Sequence, residues 1–223
     1  MKKTVNFDDP QTCHFYYGNE TGTPGTILTF FPWPRVRIGY NSSGMVTEIG
    51  YAVPKDSLDF WTDRFKQFNV KHDEVAERLG EKYLHFEDPD GLKIDLVVPE
   101  KSDERKSWET NEISGVVANK GFHSVTLIEP NVDPTASILT ELFGYQLLKQ
   151  EGSRYRFITD AIGNASIVDI IEAPHLAVGL NAGGTNHHVA YRVTDENSQM
   201  EFREKILSKG LDITPKIDRD YFF

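Results

Sequence analysis

The chain has 223 residues, 39% of them apolar and 12% aromatic, with a formal net charge of −10 at pH 7. This composition supports one large domain or two small ones with true hydrophobic cores. The negative charge disfavours nucleic acid as a partner, and no stretch approaches the roughly 20 apolar residues of a membrane-spanning helix. The N-terminus MKKTVNFDDP has no apolar stretch behind its lysines, and Cys13 is the single cysteine. We therefore expect a cytoplasmic protein that binds neither nucleic acid nor membrane.

Three strands are predicted in residues 1–35, which contain KKTVNFDDPQTCHFYYGNETGTPGTILTFFPWP. The glycines of ETGTPGT suit a hairpin turn, and no helix follows them as it would follow a phosphate-binding loop. The aromatic run TFFPWP is interpreted as packing at a strand end rather than as a platform for a ligand. No strand and helix precede these three strands in the sequence.

The clearest pattern lies in residues 45–99. MVTEIGYAV at 45–53 alternates as a strand does, and SLDFWTDRFKQF at 57–68 has its large apolar residues at helical spacing. Two or three strands follow, with Asp90 and Gly91 suited to a tight hairpin turn. This order of elements predicts a βαβββ unit.

A second copy of this pattern begins with GFHSVTLIE at 121–129. A helix is predicted at 135–145, and the closing strands are predicted in SRYRFITD and ASIVDIIEA. The segment NHHVAYRV then predicts another first strand over 187–193, and SQMEFREKILSKGLDI predicts a helix that runs into a strand. The repeat therefore starts once more near residue 185.

We predict an α+β fold of tandem βαβββ modules that form curved mixed sheets. A partial first module covers 1–35, a second 45–99, a third 121–174 and a partial fourth 185–223. Two such modules side by side enclose a cup. Alternation along the strand at 187–193 would direct one set of side chains into the cup and the other set toward the helices. The cup set is His188, Ala190 and Arg192, and the helix set is Val189, Tyr191 and Val193.

The repeat makes His188 a candidate metal ligand. Glu48 and His123 occupy the matching first-strand position in the second and third modules, so this position carries a potential ligand in each. Asp95 lies on the closing strand of the second module, and its counterpart in the last module would fall about 14 residues beyond Phe223. Mononuclear iron that activates dioxygen commonly uses two histidines and one carboxylate. The alternative is a pair of strand-end histidines that bond to backbone or water.

Several motifs together resemble bacterial ring-cleaving dioxygenases of the vicinal-oxygen-chelate superfamily, which also includes glyoxalase I, bleomycin-resistance proteins and extradiol dioxygenases. The motifs are the stretch from KKTVNFDDP to TFFPWP, FEDPDGLKIDLV, GFHSVTL, NHHVAYRV and ITPKIDRDYF. The resemblance to the hydroquinone-cleaving branch implies Fe(II), with Mn(II) as the alternative metal, and His188 as one of three ligands. The other histidine and the glutamate of that branch are expected outside this chain, with both end modules truncated.

The same resemblance implies that His187 exchanges a proton with the substrate and that Arg219 supplies a fixed positive charge. It implies cleavage of a hydroquinone- or catechol-type aromatic diol by dioxygen. In the catechol-cleaving branch, His123 and His188 would both be ligands, which is the minority alternative. A metal-free aromatic- or quinone-binding protein of the bleomycin-resistance type and a glyoxalase-like isomerase are the other hypotheses. Exposed strand edges also make a homo-oligomer an expectation. The remaining histidines are expected to be packed or at the surface: His14, His72, His85 and His175.

Overall fold

The computed structural model describes residues 1–217. The elements in this range are β1 (Lys2–Val5), β2 (Cys13–Tyr17), β3 (Leu28–Phe30), β4 (Met45–Ala52), α1 (Leu58–Gln67), β5 (Ala76–Arg78), β6 (Glu81–Glu87), β7 (Lys93–Val97), β8 (Phe122–Glu129), α2 (Val132–Glu141), β9 (Gln146–Glu151), β10 (Arg154–Ile158), β11 (Ile167–Glu172) and α3 (Glu196–Ser208). No helix in this range is both long enough and apolar enough to span a lipid bilayer.

Eight strands form one mixed sheet in the order β5-β6-β7-β4-β8-β11-β10-β9. The strands β4 and β8 pair antiparallel at its centre, while β4 pairs parallel with β7 and β8 pairs parallel with β11. Each half of the sheet thus contains a strand, a helix and three further strands in chain order. The predicted α+β class with mixed sheets of repeated units is confirmed, and the module boundaries stay a prediction.

Each half of this sheet has its own apolar core beneath one helix. In α1, Leu58 and Phe65 are buried against a cluster that contains Leu84 and Leu96. In α2, the buried residues belong to a second cluster, which comprises Val132, Leu139, Tyr145, Phe157, Val168 and Ile170. Burial of each large apolar side chain contributes roughly 1.5–3 kcal/mol, so the spacing of apolar residues in the sequence specified these helices.

The strands β1, β2 and β3 form a separate antiparallel sheet. Leu28 and Phe30 on one face of β3 pack against the eight-stranded sheet, on the cluster of Ile49, Leu92 and Ile94. Successive side chains in a strand point to opposite faces, so the other face carries the alternate residues. The register places Thr4 opposite His14, and Tyr16 opposite Thr29, on that other face.

Two local predictions are wrong, and the bounds of a third differ. In the described part of the chain, 187–193 and 211–217 form no strand. A strand needs a hydrogen-bonded neighbour. The strands β4 and β8 have one because they pair with each other, whereas within residues 1–217 no strand pairs with 187–193. The helix predicted at 135–145 is α2, which begins three residues earlier. Asn131 caps it by accepting a hydrogen bond from the amide of Asp133, and a helix tolerates Pro134 in its first turn.

Candidate active site

The loop that carries the paired histidines is fixed against the turn between β6 and β7. Gly184 has a φ of 79°, and a Cβ added there would lie 2.0 Å from the carbonyl oxygen of Asp90, so only glycine fits. The side chain of Asn181 donates a hydrogen bond of 3.2 Å to the carbonyl of His187. These contacts hold His187 and His188 in one place although no strand forms there.

His187 and His188 hydrogen-bond to each other through their Nδ1 atoms at 2.8 Å, with their rings inclined at 78°. Partial burial and then the charge of His187 lower the pKa of His188, while both residues remain exposed to solvent. The neutral imidazole, which is the metal-binding form, is therefore favoured at His188. Because its Nδ1 is engaged and its Nε2 makes no hydrogen bond within residues 1–217, Nε2 is the atom that could bind a metal.

Beside this pair lie His14 on β2 and Phe31, the residue that follows β3. His14 stacks on Phe31 with ring centroids 4.2 Å apart, and Phe31 meets His187 edge-on at 6.1 Å. The Tyr16 hydroxyl hydrogen-bonds with Nδ1 of His14 at 2.7 Å. Burial and then the charge of His188 lower the pKa of His14. The structure therefore brings together three histidines and an aromatic ring.

Two of these residues were not predicted from the sequence. His14 was expected to be a packed or surface residue, and Phe31 belongs to TFFPWP, which was interpreted as packing alone. Phe31 does pack, since it stacks on Trp33 at 5.0 Å, but it also contacts His187. The available signal was the alternation of CHFYY, which puts His14 and Tyr16 on one face of a strand.

A separate cluster of charged side chains contains Glu48 and His123, the matching first-strand positions of the second and third modules. Nε2 of His123 hydrogen-bonds with Glu81 at 3.2 Å, and Nδ1 bonds with the Ser124 hydroxyl at 3.0 Å. Ion pairs link this cluster in a continuous order from one end to the other: His85, Asp95, Arg78, Glu48, Arg154, Asp169, Arg156, Glu81 and His123. We call this group the charge chain.

The carboxylates of the charge chain are neutralised by arginine and histidine. Burial would raise the pKa of Glu81, but hydrogen bonding and charge from His123 and the charge of Arg156 hold it at about 2. Burial also acts to raise the pKa of Asp95. The hydrogen bonds and charges of His85 and Arg78 outweigh this effect, so the pKa of Asp95 is lowered. In this cluster, guanidinium groups lie between the carboxylates.

The fit of a metal to the described residues is incomplete. Residues 1–217 contain no group of three or more histidine, cysteine, aspartate or glutamate side chains that could hold a metal ion. They offer His188 as one imidazole ligand without the partners that a facial site of two histidines and a carboxylate needs. Arg219, the predicted positive charge, lies outside the described residues.

Comparison with known proteins places the chain in a family. No protein-family model matches it. A Bacillus subtilis (strain 168) protein named as a ring-cleaving dioxygenase, MhqO, is 42% identical over 224 residues, which cover 100% of this chain and 70% of that protein. The chain belongs to the ring-cleaving dioxygenases. The chlorohydroquinone/hydroquinone 1,2-dioxygenase of Sphingobium indicum is 28% identical over 228 residues, which cover 100% of this chain and 71% of that enzyme.

Solved structures agree with this family assignment. The crystal structure of a Bacillus subtilis protein described as a dioxygenase matches this ring-cleaving dioxygenase with a TM-score of 0.91 and 40% identity, over 98% of this chain and 69% of that one. The V278E variant of maize (Zea mays) glyoxalase I matches with a TM-score of 0.64 and 13% identity, over 94% of this chain and 70% of that one. The second likeness concerns the fold alone. This ring-cleaving dioxygenase therefore has the vicinal-oxygen-chelate fold.

Proposed function

We propose that the protein cleaves the ring of a hydroquinone- or catechol-type diol with dioxygen, in a reaction that depends on Fe(II), with Mn(II) as the alternative metal. The names of its relatives supply the reaction class and, for one of them, a hydroquinone substrate. The observation that carries the proposal to this chain is the placement of His188. Its ring is hydrogen-bonded through Nδ1 to His187, and the His187 ring meets Phe31, on which His14 stacks.

In this proposal, His188 binds the metal through Nε2. Histidine ligands are commonly held by a hydrogen bond at the other ring nitrogen, and His187 makes that bond here. A bound Fe(II) with open coordination positions would bring dioxygen and the diol together. His187 also lies where it could exchange a proton with a ring hydroxyl, and Arg219 is proposed to stabilise negative charge. The remaining ligands are not assigned, and the expectation that they lie outside the chain stays a prediction.

The experiment is oxygen uptake with hydroquinone after anaerobic loading with Fe(II), in the wild type, His188→Ala and the exposed control His175→Ala. We expect uptake to match hydroquinone loss. It should fall in His188→Ala by more than the roughly 10- to 100-fold cost of changing a group that only supports a ligand, because a ligand itself is removed. His175→Ala should behave as wild type.

Each alternative gives a different result. Hydroquinone that binds without oxygen uptake would favour the metal-free binding protein, and turnover without oxygen uptake would favour an isomerase. Full activity in His188→Ala would overturn the assignment of His188 as a ligand.

A further inference from the structure

Two buried polar atoms in the three-stranded sheet lack a hydrogen-bond partner within residues 1–217. They are Oγ1 of Thr4 and Nε2 of His14. The large majority of buried polar atoms in native proteins are hydrogen-bonded, so each exception needs an explanation. Thr4 and His14 are direct partners in the β1–β2 register, which brings their Cβ atoms to about 5 Å of each other. The two exceptions therefore form one location.

This location adjoins the candidate active site. The His14 ring stacks on Phe31, and Phe31 contacts His187. Two polar atoms without a partner in residues 1–217 thus lie next to the ring that contacts His187.

The chemistry of the two atoms favours a hydroxyl group as the missing partner. When the Tyr16 hydroxyl donates to Nδ1 of His14, the proton of the neutral ring lies on Nε2, which then donates. In the other tautomer, Nε2 accepts. The Thr4 hydroxyl both donates and accepts. A phenolic hydroxyl complements either arrangement because it also donates and accepts, whereas a carboxylate or an ether oxygen only accepts.

We propose that Thr4 and His14 bind a ring hydroxyl of the aromatic substrate and that Phe31 packs against the ring. The proposal rests on the proposed function for the identity of the ligand as an aromatic diol. It adds two substrate-binding residues from β1 and β2 that determine specificity for a hydroxyl-bearing ring.

The test measures the binding of hydroquinone to the metal-free protein in the absence of oxygen. The fluorescence of Trp33 reports the binding. This side chain stacks on Phe31 at 5.0 Å, and Trp33→Phe provides the background from the other tryptophans. The second probe is 1,4-dimethylbenzene, which has the same ring and neither donates nor accepts a hydrogen bond. The variants are Thr4→Val, which replaces a hydroxyl by a methyl, and His14→Phe, which keeps a ring to stack on Phe31.

Two variants serve as matched controls. His72→Phe changes another half-buried histidine that lies against a phenylalanine, Phe65, and Thr140→Val removes an exposed threonine hydroxyl. We expect Thr4→Val and His14→Phe each to weaken hydroquinone binding roughly three- to tenfold, as the loss of one hydrogen bond does. Affinity for 1,4-dimethylbenzene should stay within about twofold, and both controls should bind as wild type.

The proposal fails if the wild type does not bind hydroquinone or if neither variant weakens hydroquinone binding. It also fails if the variants weaken the binding of both probes equally. Thr4→Val keeps the test decisive if His14→Phe does not fold, because valine has nearly the same shape as threonine. Failure of the proposed function appears elsewhere. Hydroquinone binding that depends on Thr4 and His14, without oxygen uptake in the iron-loaded protein, would uphold this inference and reject ring cleavage.

Discussion

Arg156 shows how a full charge is accommodated inside the eight-stranded sheet. Its side chain is 3% exposed, and it donates two hydrogen bonds to Asp169, of 2.8 and 2.9 Å, besides its ion pair with Glu81. Burial opposes the charged form, but the two carboxylates outweigh it and raise the pKa of Arg156. The fork-shaped guanidinium matches a carboxylate in a way that lysine cannot.

Replacement of Arg156 by methionine should therefore destabilise the protein strongly. The change leaves Asp169 and Glu81 without their main partner, and breaking a buried pair in this way costs about 3–5 kcal/mol. The matched control is Arg64→Met, since Arg64 pairs with the exposed Glu112 and such surface pairs contribute about 1 kcal/mol or less. Urea unfolding measures both. Equal losses in the two variants would show that the charge chain contributes no more than a surface pair.

Individual site residues were predictable only where a pattern repeats. His188 stood out because Glu48 and His123 occupy the matching positions of the other modules. His14 had no such counterpart, and its role depends on Phe31 and His187, which lie 17 and 173 positions further along the chain. Contacts across such distances leave no mark in local periodicity.

The three helices within residues 1–217 differ in how firmly they are attached. Both α1 and α2 bury residues, whereas no residue of α3 is buried. Asp195 caps α3 by accepting a hydrogen bond of 2.8 Å from the amide of Ser198. A further contact is Phe202 against Phe143, at 5.6 Å between ring centroids. A helix held by its cap and by partly exposed contacts opens without disturbing a core.

Amide hydrogen exchange should separate these helices. We expect the amides of α3 to exchange at least roughly tenfold faster than those of α1, because α3 needs only local opening. Mass spectrometry of peptides from the two helices gives the comparison, and α2 is the matched reference because Asn131 also caps it. Protection of α3 equal to that of α2 would mean that α3 opens only with the sheet.

Elements were predictable where their cause is local. The helices follow from apolar spacing within one turn or two, and the hairpin at Gly91 follows from a residue that adopts a φ of 92°. The strand at 187–193 had the right alternation, and Tyr191 does pack against Phe143 at 5.2 Å. It forms no strand because alternation places side chains on faces but does not supply a neighbouring strand.

The charge chain connects both halves of the eight-stranded sheet and ends in a histidine on each side. The hydrogen bond to Asp95 raises the pKa of His85, burial opposes this, and the charges of Asp95, Glu48 and Asp73 add to it. A raised pKa means that His85 stabilises the fold fully below its unfolded pKa of about 6.5 and that this contribution is lost as pH rises through the folded pKa. Glu81, whose pKa is about 2, makes stability depend on pH in the acidic range instead. Its contribution is present above about 4.3 and is lost as pH falls toward 2.

The stability difference between wild type and His85→Gln should therefore depend on pH. Glutamine retains a hydrogen-bond donor for Asp95 but carries no charge. We expect the variant to be less stable below about pH 6.5 and the difference to shrink as pH rises beyond that value. Both proteins should lose stability in acid, because Glu81 and Asp95 are unchanged. Urea midpoints from pH 3 to 9 measure this, and a difference that does not vary with pH would show that His85 is uncharged.

The charge chain also affects the kinetics of folding and unfolding. Its link between Arg154 and Glu48 joins residues 106 positions apart, and its link between Arg156 and Glu81 joins residues 75 apart. During folding, the local hairpins close first, and contacts this distant in sequence close late. Until then the charged groups remain hydrated. Interactions formed after the rate-limiting step do not speed folding, but they slow unfolding. We therefore expect the buried ions to set how long a folded molecule lasts rather than how quickly it forms.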